Sequence, residues 1–346
     1  MLAARNRIRC LSLLLLASLI LASASLVVEG SLNDTSVAQQ WGWYRIKADQ
    51  ALDTGYEGAG VVVALLDTGI DAGHPDLAAN IISGWNFIDN NSNVTDVDGH
   101  GTMVAGIVAA VANNSIGIAG VAPKVSIMPL KVLSESDGSL IDVNSAIRYA
   151  ADHGAKIIGM SLGGSYSRLS QAMENAIDYA YKRGCILVAG AGNDNSTEPF
   201  YPAYYDQVIA VSAIDQGDMK ASFSNYGSYI DFCAPGVGIL STTKGGGYGY
   251  ADGTSFATPF VTGVVALMLS KYPSMNADSV VAALRSQAED LGLAGWDQYY
   301  GWGLVNAYAA VAPDPIPEFT SVVFLAAAVL VTTLIFVPKK ACLRKI

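Results

Sequence analysis

Apolar runs alternate with segments of helical periodicity along most of the chain. The strand-like runs lie at residues 61–66, 125–132, 156–160, 185–189 and 208–211. The helix-like segments lie at residues 101–111, 141–153, 169–182 and 255–272. Continuous apolar runs are typical of strands covered on both faces, and their alternation with helices indicates a parallel sheet. We therefore predict an α/β fold with a mainly parallel central sheet and helices on both faces.

The predicted fold belongs to a single domain. The part between the two hydrophobic ends of the chain, residues 40–312, is long enough for one large α/β unit. It contains no internal repeat and no low-complexity linker. One domain over residues 40–312 is the simplest interpretation.

The N-terminus has the pattern of a secretory signal peptide. Residues 1–24 begin with three arginines, continue through an apolar run at residues 11–21, and end on Ala22-Ser23-Ala24. This arrangement predicts export and cleavage after Ala24. A permanent N-terminal anchor is the alternative, although the apolar run is short for a membrane span. Residues 25–39 would then form a short N-terminal arm.

The C-terminus has the pattern of a membrane anchor. Residues 313–319 form a proline-rich linker, residues 320–337 are uncharged and mostly apolar, and residues 338–346 carry four basic side chains. An apolar stretch of this length predicts a transmembrane segment, and the basic tail predicts that its end stays in the cytoplasm. The domain would therefore lie outside the cell.

The composition of the chain restricts the kinds of molecule that the domain is expected to bind. The formal net charge is −10, and seven of the 20 basic residues lie in the two ends, so the domain itself is strongly acidic. An acidic domain of this kind is an improbable partner for nucleic acid. Cys185 and Cys233 lie in apolar, strand-like contexts, which favours two buried, unpaired thiols over a disulfide.

Three short segments supply residue types that can activate a serine. Asp67 follows the run at residues 61–66, His100 stands between two glycines, and Ser255 begins a helix-like segment. A serine hydroxyl needs an imidazole to accept its proton, and that imidazole needs a carboxylate to orient it and to stabilise its charge. Alone, Asp67 would suggest a turn and His100 a loop, but together with Ser255 they predict a nucleophile, a base and an orienting acid.

The two other histidines have structural interpretations. His74 precedes Pro75 in a predicted loop, and His153 stands at the predicted end of a helix, where capping is expected. His100 is therefore the candidate base.

The order Asp67, His100, Ser255, with their flanking glycines, resembles the subtilisin-like serine proteases, the peptidase S8 family. The resemblance covers residues 40–312 and is strongest to the thermitase-like branch. It implies a serine endopeptidase that cleaves proteins or peptides through an acyl-enzyme intermediate. A catalytically silent, surface-anchored protein that binds peptides on the same fold is the alternative.

The same resemblance implies the residues that bind substrate. Asn193 would donate to the oxyanion together with the backbone N–H of Ser255. The substrate would lie extended along a strand, and a pocket would receive the side chain before the cleaved bond. The implied substrate-binding residues are Ser161, Leu162, Gly163, Gly164, Ala189, Gly190 and Phe200. Phe200 would narrow this pocket and favour small or medium apolar side chains.

A structural calcium ion is also implied by the resemblance. The loop at residues 109–118 is similar to a calcium-binding loop of the family, and calcium takes six to eight oxygen ligands. The implied ligands are Asp34, Asp76, Val111, Asn114, Ile116 and Ile118. A simple Asn-Asn turn at the end of a helix is the alternative.

The chain departs from the family pattern at several positions. Phe256, Phe260 and Met103 replace a common methionine and two common histidines, which affects substrate preference more than reaction class. The arm at residues 25–39 is too short for the folded pro-segment that exported members often carry. The Pro-Glu-Phe sequence before residues 320–337 resembles an archaeal type of C-terminal sorting signal, which implies a sorting enzyme as partner; a plain anchor is the alternative.

Overall fold

The computed structural model describes residues 32–134, 137–165 and 170–313. These residues contain eleven strands. The strands are β1 (Val62–Asp67), β2 (Trp85–Asn86), β3 (Ser126–Lys131), β4 (Leu133–Ser134), β5 (Asp137–Gly138), β6 (Ile157–Met160), β7 (Ile186–Gly190), β8 (Val208–Ile214), β9 (Phe232–Pro235), β10 (Ile239–Thr243) and β11 (Gly247–Ala251). Seven of them form a parallel sheet in the order β2-β3-β1-β6-β7-β8-β9. The pairs β4–β5 and β10–β11 are antiparallel.

Eight α-helices accompany the strands within the described residues. They are α1 (Trp41–Arg45), α2 (Ala48–Leu52), α3 (His100–Ala109), α4 (Leu140–Asp152), α5 (Gln171–Lys182), α6 (Thr254–Lys271), α7 (Ala277–Gln287) and α8 (Ala307–Val311). Single 3₁₀ turns lie at Val37–Gln39 and Ala78–Asn80.

Helices cover both faces of the sheet because successive strand residues point to opposite sides. Val63 and Leu65 of β1 belong to a core shared with α3 and α6, whereas Ala64 and Leu66 belong to a second core shared with α4 and α5. The predicted α/β architecture with a mainly parallel sheet and helices on both faces is therefore confirmed.

Helix α6 lies at the centre of the first core. It is long and apolar enough to cross a membrane by length and composition, but 83% of it is buried inside the domain, as expected of a core helix. The predicted signal peptide (residues 1–24), the predicted span (residues 320–337) and the basic tail lie outside the described residues.

The predicted strands correspond to β1, β3, β6, β7 and β8, and the predicted helices to α3, α4, α5 and α6. The sequence analysis did not identify β9 or the β10–β11 hairpin. Strand β11 has the sequence Gly-Tyr-Gly-Tyr-Ala, which lacks an apolar run, and β9 has the sequence Phe-Cys-Ala-Pro, whose proline argues against a strand. Cys185 and Cys233 are buried free thiols, as predicted.

The topology brings several strand ends to one edge of the sheet. Strand β1 lies between β3 and β6. The strand order therefore changes direction at β1, with β3 on one side and β6 on the other. In such sheets a crevice forms beyond the carboxyl ends of the strands near this point. Asp67 ends β1, Ser161 follows β6, and Gly190 ends β7.

Candidate active site

Asp67 and His100 meet at this edge of the sheet. His100 is the first residue of α3, and its Nδ1–H donates to Asp67 Oδ1 over 2.7 Å. The Asp67 side chain is 2% exposed and the His100 side chain 23% exposed. The carboxylate therefore places the proton on Nδ1 and leaves Nε2 of the neutral ring as an acceptor.

Gly101 allows this close approach. A Cβ atom at position 101 would lie 2.1 Å from the carbonyl oxygen of Gly69 and 3.0 Å from Asp67 Oδ1. Any side chain there would push the start of α3 away from the turn that follows β1. The glycine after His100 is thus required by packing.

Opposing effects act on the pKa of His100. Burial of the ring lowers the pKa, whereas the charge and hydrogen bond of Asp67, followed by the charges of Asp98 and Asp96, raise it. The raising effects prevail, so the pKa lies above the usual value of 6.5. The acidic surroundings favour an imidazole that readily accepts a proton.

Ser255 is the second residue of α6 and faces the end of β6. Its Oγ–H donates to the carbonyl oxygen of Ser161 over 3.1 Å, and the Ser161 hydroxyl donates back to the carbonyl oxygen of Ser255 over 2.8 Å. This reciprocal pair holds the start of α6 against the sheet edge. His100 and Ser255 line the same cavity.

Asn193 is anchored through its oxygen. Its Oδ1 accepts hydrogen bonds from the Thr254 N–H (2.9 Å) and the Thr254 hydroxyl (3.0 Å). Because a backbone N–H can only donate, the amide oxygen must face Thr254, and the Nδ2 group is directed elsewhere. Asn193 also lines the cavity, so its NH₂ group is a candidate donor beside Ser255.

The cavity has a volume of about 330 Å³. Of the predicted substrate-binding residues, Ser161, Leu162, Gly163, Gly190 and Phe200 line it. Gly164 lies next to it and exchanges both of its backbone hydrogen bonds with Tyr201. Ala189 is placed differently: it is 0% exposed and belongs to the core behind the cavity.

Phe200 lies between two glycines at the cavity wall. A Cβ atom at Gly163 would lie 2.4 Å from the ring of Phe200, and one at Gly192 would lie 2.7 Å from it. The ring thus fills the space that both glycines leave open. It narrows the cavity close to Asn193.

The sequence analysis missed the far end of the cavity. This end is apolar and is formed by side chains from strand β4, the two helices on that face and their connections. Its residues are Leu133, Leu140, Val143 and Met173. Helical periodicity marked only Val143 and Met173, and it does not distinguish core residues from pocket residues. Leu133 and Leu140 lie outside the predicted elements.

The two other histidines have structural roles. His74 is buried; its Nδ1 accepts the Asp76 N–H (3.1 Å), and its Nε2 lies 3.0 Å from the carbonyl oxygen of Gly247. His153 follows the last residue of α4, and its ring stacks on Tyr149 with ring centres 3.6 Å apart. Both positions agree with the structural interpretations.

The residues predicted to bind calcium lie near the C-terminal end of α3, the end opposite His100. The backbone N–H of Asn114 donates to Asp34 (3.0 Å), and its side chain donates to Asp76 (2.7 Å). The Val111 N–H donates to the backbone carbonyl oxygen of Asp76 (2.9 Å), and the Ile118 N–H donates to the Asp76 carboxylate (3.0 Å). Asp34 is 4% exposed and Asp76 0% exposed, so two carboxylates are buried beside one loop.

Burial raises the pKa of Asp76, and the neighbouring charge of Asp34 raises it further, whereas hydrogen bonds from Ile118, Asn114 and Tyr248 oppose the increase. A cation would relieve this repulsion. The described part of the chain has no cluster of three or more His, Cys, Asp or Glu side chains suited to a metal. The set here combines two buried carboxylates with the side-chain amide of Asn114, and carboxylate and amide oxygens are ligands that calcium accepts.

Comparisons with known proteins agree with the geometry. Residues 58–303 match the model of the subtilase family, Peptidase S8. Thermitase of Thermoactinomyces vulgaris is 46% identical over 275 residues, which cover 79% of this chain and 96% of thermitase. Subtilisin DY of Bacillus licheniformis is 45% identical over 270 residues, covering 77% of this chain and 96% of that protein. A solved protease structure from Pseudoalteromonas arctica matches with a TM-score of 0.77 and 35% identity over 82% of this chain and 99% of that one.

The fold is thus subtilisin-like, and the predicted family is confirmed. A sheet edge that combines an Asp–His pair with a serine at a helix start is the arrangement expected of a serine peptidase. The chain belongs to the subtilase family and is a serine-type endopeptidase.

Proposed function

We propose that this chain is an exported endopeptidase that hydrolyses peptide bonds with Ser255 as nucleophile, His100 as general base and acid, and Asp67 as the orienting carboxylate. The observation that carries the proposal is the 2.7 Å hydrogen bond between the buried Asp67 and His100, together with the cavity that His100 and Ser255 both line. Any one of these residues has other uses in proteins, but the combination matches a nucleophile, its base and the group that orients the base.

The reaction begins when the Ser255 hydroxyl turns from the Ser161 carbonyl towards His100 Nε2. His100 then accepts the hydroxyl proton while Oγ attacks the peptide carbonyl carbon, and Asp67 stabilises the resulting imidazolium. His100 next donates that proton to the departing amine, which leaves an acyl-enzyme. Water, activated by the same imidazole, releases the acid and regenerates Ser255.

Two donors would stabilise the oxyanion in each half-reaction. The Nδ2 group of Asn193 is held by the bonds from Thr254 to its oxygen. The backbone N–H of Ser255 lies in the first turn of α6, where N–H groups are free and the helix dipole favours negative charge. Donors fixed before the reaction need little reorganisation when the charge develops.

The substrate would bind in an extended conformation along Ser161, Leu162 and Gly163. Leu162 and Gly163 follow β6 closely and line the cavity, and glycine permits a peptide to approach closely. The ring of Phe200 limits the pocket near Ser255, so we expect small or medium apolar side chains before the cleaved bond.

A peptide library tests the role of Phe200. The parent should prefer alanine, valine or leucine over phenylalanine and tyrosine at the position before the cleaved bond. Phe200→Ala should shift the preference towards aromatic residues, whereas Phe223→Ala, outside the cavity lining, should leave the order unchanged. A parent that prefers large aromatic residues contradicts the pocket assignment.

We also propose that calcium binds between Asp34, Asp76 and the loop at residues 111–118. Two buried carboxylates, the side chain of Asn114 and the carbonyl groups of Val111, Ile116 and Ile118 would hold it. The ion would neutralise the two carboxylates and stabilise the loop that follows α3.

Export and attachment are proposed from the sequence. Residues 1–24 have the signal-peptide pattern and residues 320–337 the pattern of a membrane span. With the basic tail in the cytoplasm, the catalytic domain would face outwards. A sorting enzyme that recognises the Pro-Glu-Phe sequence would exchange this anchor, and mass determination of the mature C-terminus distinguishes a processed tail from a retained one.

Labelling with a fluorophosphonate tests the activity directly. The full chain should be labelled at Ser255, and the Ser255→Ala variant should not. Asn193→Ala should label more slowly because it lacks an oxyanion donor. A folded parent that takes no label would favour the alternative function, a silent surface protein that binds peptides.

A further inference from the structure

A buried carboxylate lies behind the Asp67–His100 pair. Asp96 is 5% exposed and stands four residues before His100. No step of the proposed reaction uses it. Its hydrogen bonds nevertheless connect the two segments that carry Asp67 and His100.

Each Asp96 oxygen has a different set of donors. Oδ1 accepts from the Thr68 hydroxyl (2.9 Å) and from the backbone N–H groups of Asp98 (3.1 Å) and Gly99 (2.8 Å). Oδ2 accepts from the backbone N–H of Thr102 (2.9 Å) and from its hydroxyl (2.6 Å). Five donors on one buried carboxylate leave it little freedom to move.

These bonds join the end of β1 to the start of α3. Thr68 follows Asp67 directly, and its hydroxyl oxygen also accepts the N–H of Gly101 (3.0 Å). The hydroxyl oxygen of Thr102 accepts the N–H of Asp71 (3.0 Å). The connection is therefore made through two hydroxyl groups, those of Thr68 and Thr102.

Asp96 also supplies a hydrogen-bond acceptor that the N-cap residue of α3 lacks. That residue is Gly99, which has no side chain to accept the free N–H groups of the first turn. The Asp96 carboxylate accepts the Thr102 N–H of this first turn, Asp98 accepts the His100 N–H (3.1 Å), and negative charge is favourable at a helix start. The buried Lys131 Nζ donates to the carbonyl oxygens of Thr68 (2.6 Å) and Thr95 (3.0 Å). It thereby joins the turn after β1 to the segment that precedes Asp96.

We propose that Asp96 is a positioning residue of the active site: its carboxylate locks the turn after Asp67 to the first turn of α3 and thereby fixes the geometry of the Asp67–His100 hydrogen bond. The inference rests on the proposed function, because positioning is measured by its effect on the reaction. Small displacements of a catalytic group lower kcat more than they affect substrate binding.

Asp96→Asn in the full chain is the primary test. The amide retains one accepting oxygen and replaces the other with an NH₂ group, which faces donors it cannot bond. We expect kcat on a peptide substrate to fall by about 100-fold, with KM changed by less than about threefold. A folded Asp96→Asn variant with the kcat of the parent would overturn the proposal.

A pair of variants at Thr102 separates positioning from packing and does not depend on the folding of Asp96→Asn. Thr102→Val keeps the shape but removes the hydroxyl, whereas Thr102→Ser keeps the hydroxyl and removes the methyl group. Positioning predicts a lower kcat for Thr102→Val and near-parental kcat for Thr102→Ser. Equal losses in both variants would show that the methyl group and its packing matter, and would refute the proposal.

Proton NMR follows the same geometry without turnover. The Nδ1 proton of His100 in its short bond to Asp67 should give a far-downfield resonance, which should shift or broaden in Asp96→Asn and Thr102→Val but not in Thr102→Ser. A parent that takes no fluorophosphonate would refute the proposed function. A labelled parent whose variants retain its kcat and its resonance would refute only the role of Asp96.

Discussion

Each functional side chain at this site is positioned by hydrogen bonds to the backbone of a neighbouring residue or segment. Asp67 Oδ1 accepts the N–H of Thr68 (2.7 Å) as well as that of His100, and Asn193 is anchored through its oxygen. Ser255 is fixed through the reciprocal bonds with Ser161. The backbone around these side chains therefore determines their positions before the reaction, and the Ser255 hydroxyl leaves the Ser161 carbonyl only when it turns towards His100.

Removal of the Asn193 amide should lower the rate and leave binding largely intact. Asn193→Ala loses a donor that matters most when the oxyanion forms, so kcat should fall by roughly 100- to 1000-fold, the range known for one such donor in a related subtilisin. Steady-state kinetics on a peptide ester or amide measures it. Asn195→Ala is the control, because that exposed side chain bonds only Lys220 among the described residues; an equal loss there would contradict the assignment.

The loss of activity at acid pH should follow the protonation of His100. Only neutral His100 can accept the Ser255 proton, so activity is present above the raised pKa and is lost as the pH falls through it. The contribution to stability has the opposite sign: the charged imidazolium stabilises the fold below pH 6.5, and this is lost as the pH rises through the folded pKa.

The pH dependence of kcat/KM checks this, and Asp98→Asn is the informative variant. Removal of the Asp98 charge takes away one of the raising effects, so the acid limit should move to lower pH. Asp142→Asn, on α4, should leave it in place. An acid limit below pH 6.5 in the parent would contradict the direction of the shift.

At the scale of elements, two helices with small residues bring the site together. Helix α3 packs on the β10–β11 hairpin as well as on β1, and α6 packs across β6, β7, β8 and β9. A Cβ at Gly106 of α3 would lie 2.2 Å from the Thr242 hydroxyl, and one at Gly263 of α6 would lie 2.5 Å from the Val121 Cβ. The glycines thus set how closely these helices approach their neighbours.

Gly106→Ala should therefore displace α3 and with it His100. Overpacking of a buried contact of this kind typically costs about 1–3 kcal/mol of unfolding free energy, and the loss of alignment should lower kcat as well. Chemical denaturation and steady-state kinetics measure the two effects. Gly73→Ala is the matched control, since the nearest atom to its added Cβ lies 3.5 Å away; similar losses in both variants would argue against a packing cause.

At the scale of the whole molecule, long-range contacts connect the N-terminal arm to the rest of the domain. Asp34 accepts the N–H groups of Asn113 and Asn114, and Arg45 bonds both Asp218 and Glu289. The arm is therefore joined to the loop after α3, and α1 to two segments of the C-terminal half. The first connection includes the proposed calcium ligands, so the metal would stabilise the ends of the fold more than its catalytic groups.

Calcium should raise the melting temperature of the full chain. A ligand that binds only the folded state at 100 times its Kd adds about 2.7 kcal/mol to the unfolding free energy. Differential scanning calorimetry should show this increase with calcium and a much smaller one with magnesium, which prefers a smaller octahedral site. Asp34→Asn should remove most of the calcium effect; a parent whose melting temperature does not respond to calcium would refute the site.

The sequence predicted the central strands and helices because their apolar periodicity is local. It missed β9, which ends on a proline, and the β10–β11 hairpin, where glycine and tyrosine of β11 replace an apolar run and the pairing partner determines the structure. It also placed Ala189 in the pocket, whereas the alternation of β7 turns that side chain into the core and leaves Gly190 at the cavity.

The amino-acid sequence by itself determined the fold class, the family and the residues able to activate a serine, because each of these depends on residue types and their order along the chain. Only the tertiary structure revealed the apolar end of the cavity, the ring of Phe200 between Gly163 and Gly192, and the buried carboxylate of Asp96 behind His100. These features join residues from different elements, and their distances are set by how the helices pack on the sheet, which no local pattern encodes.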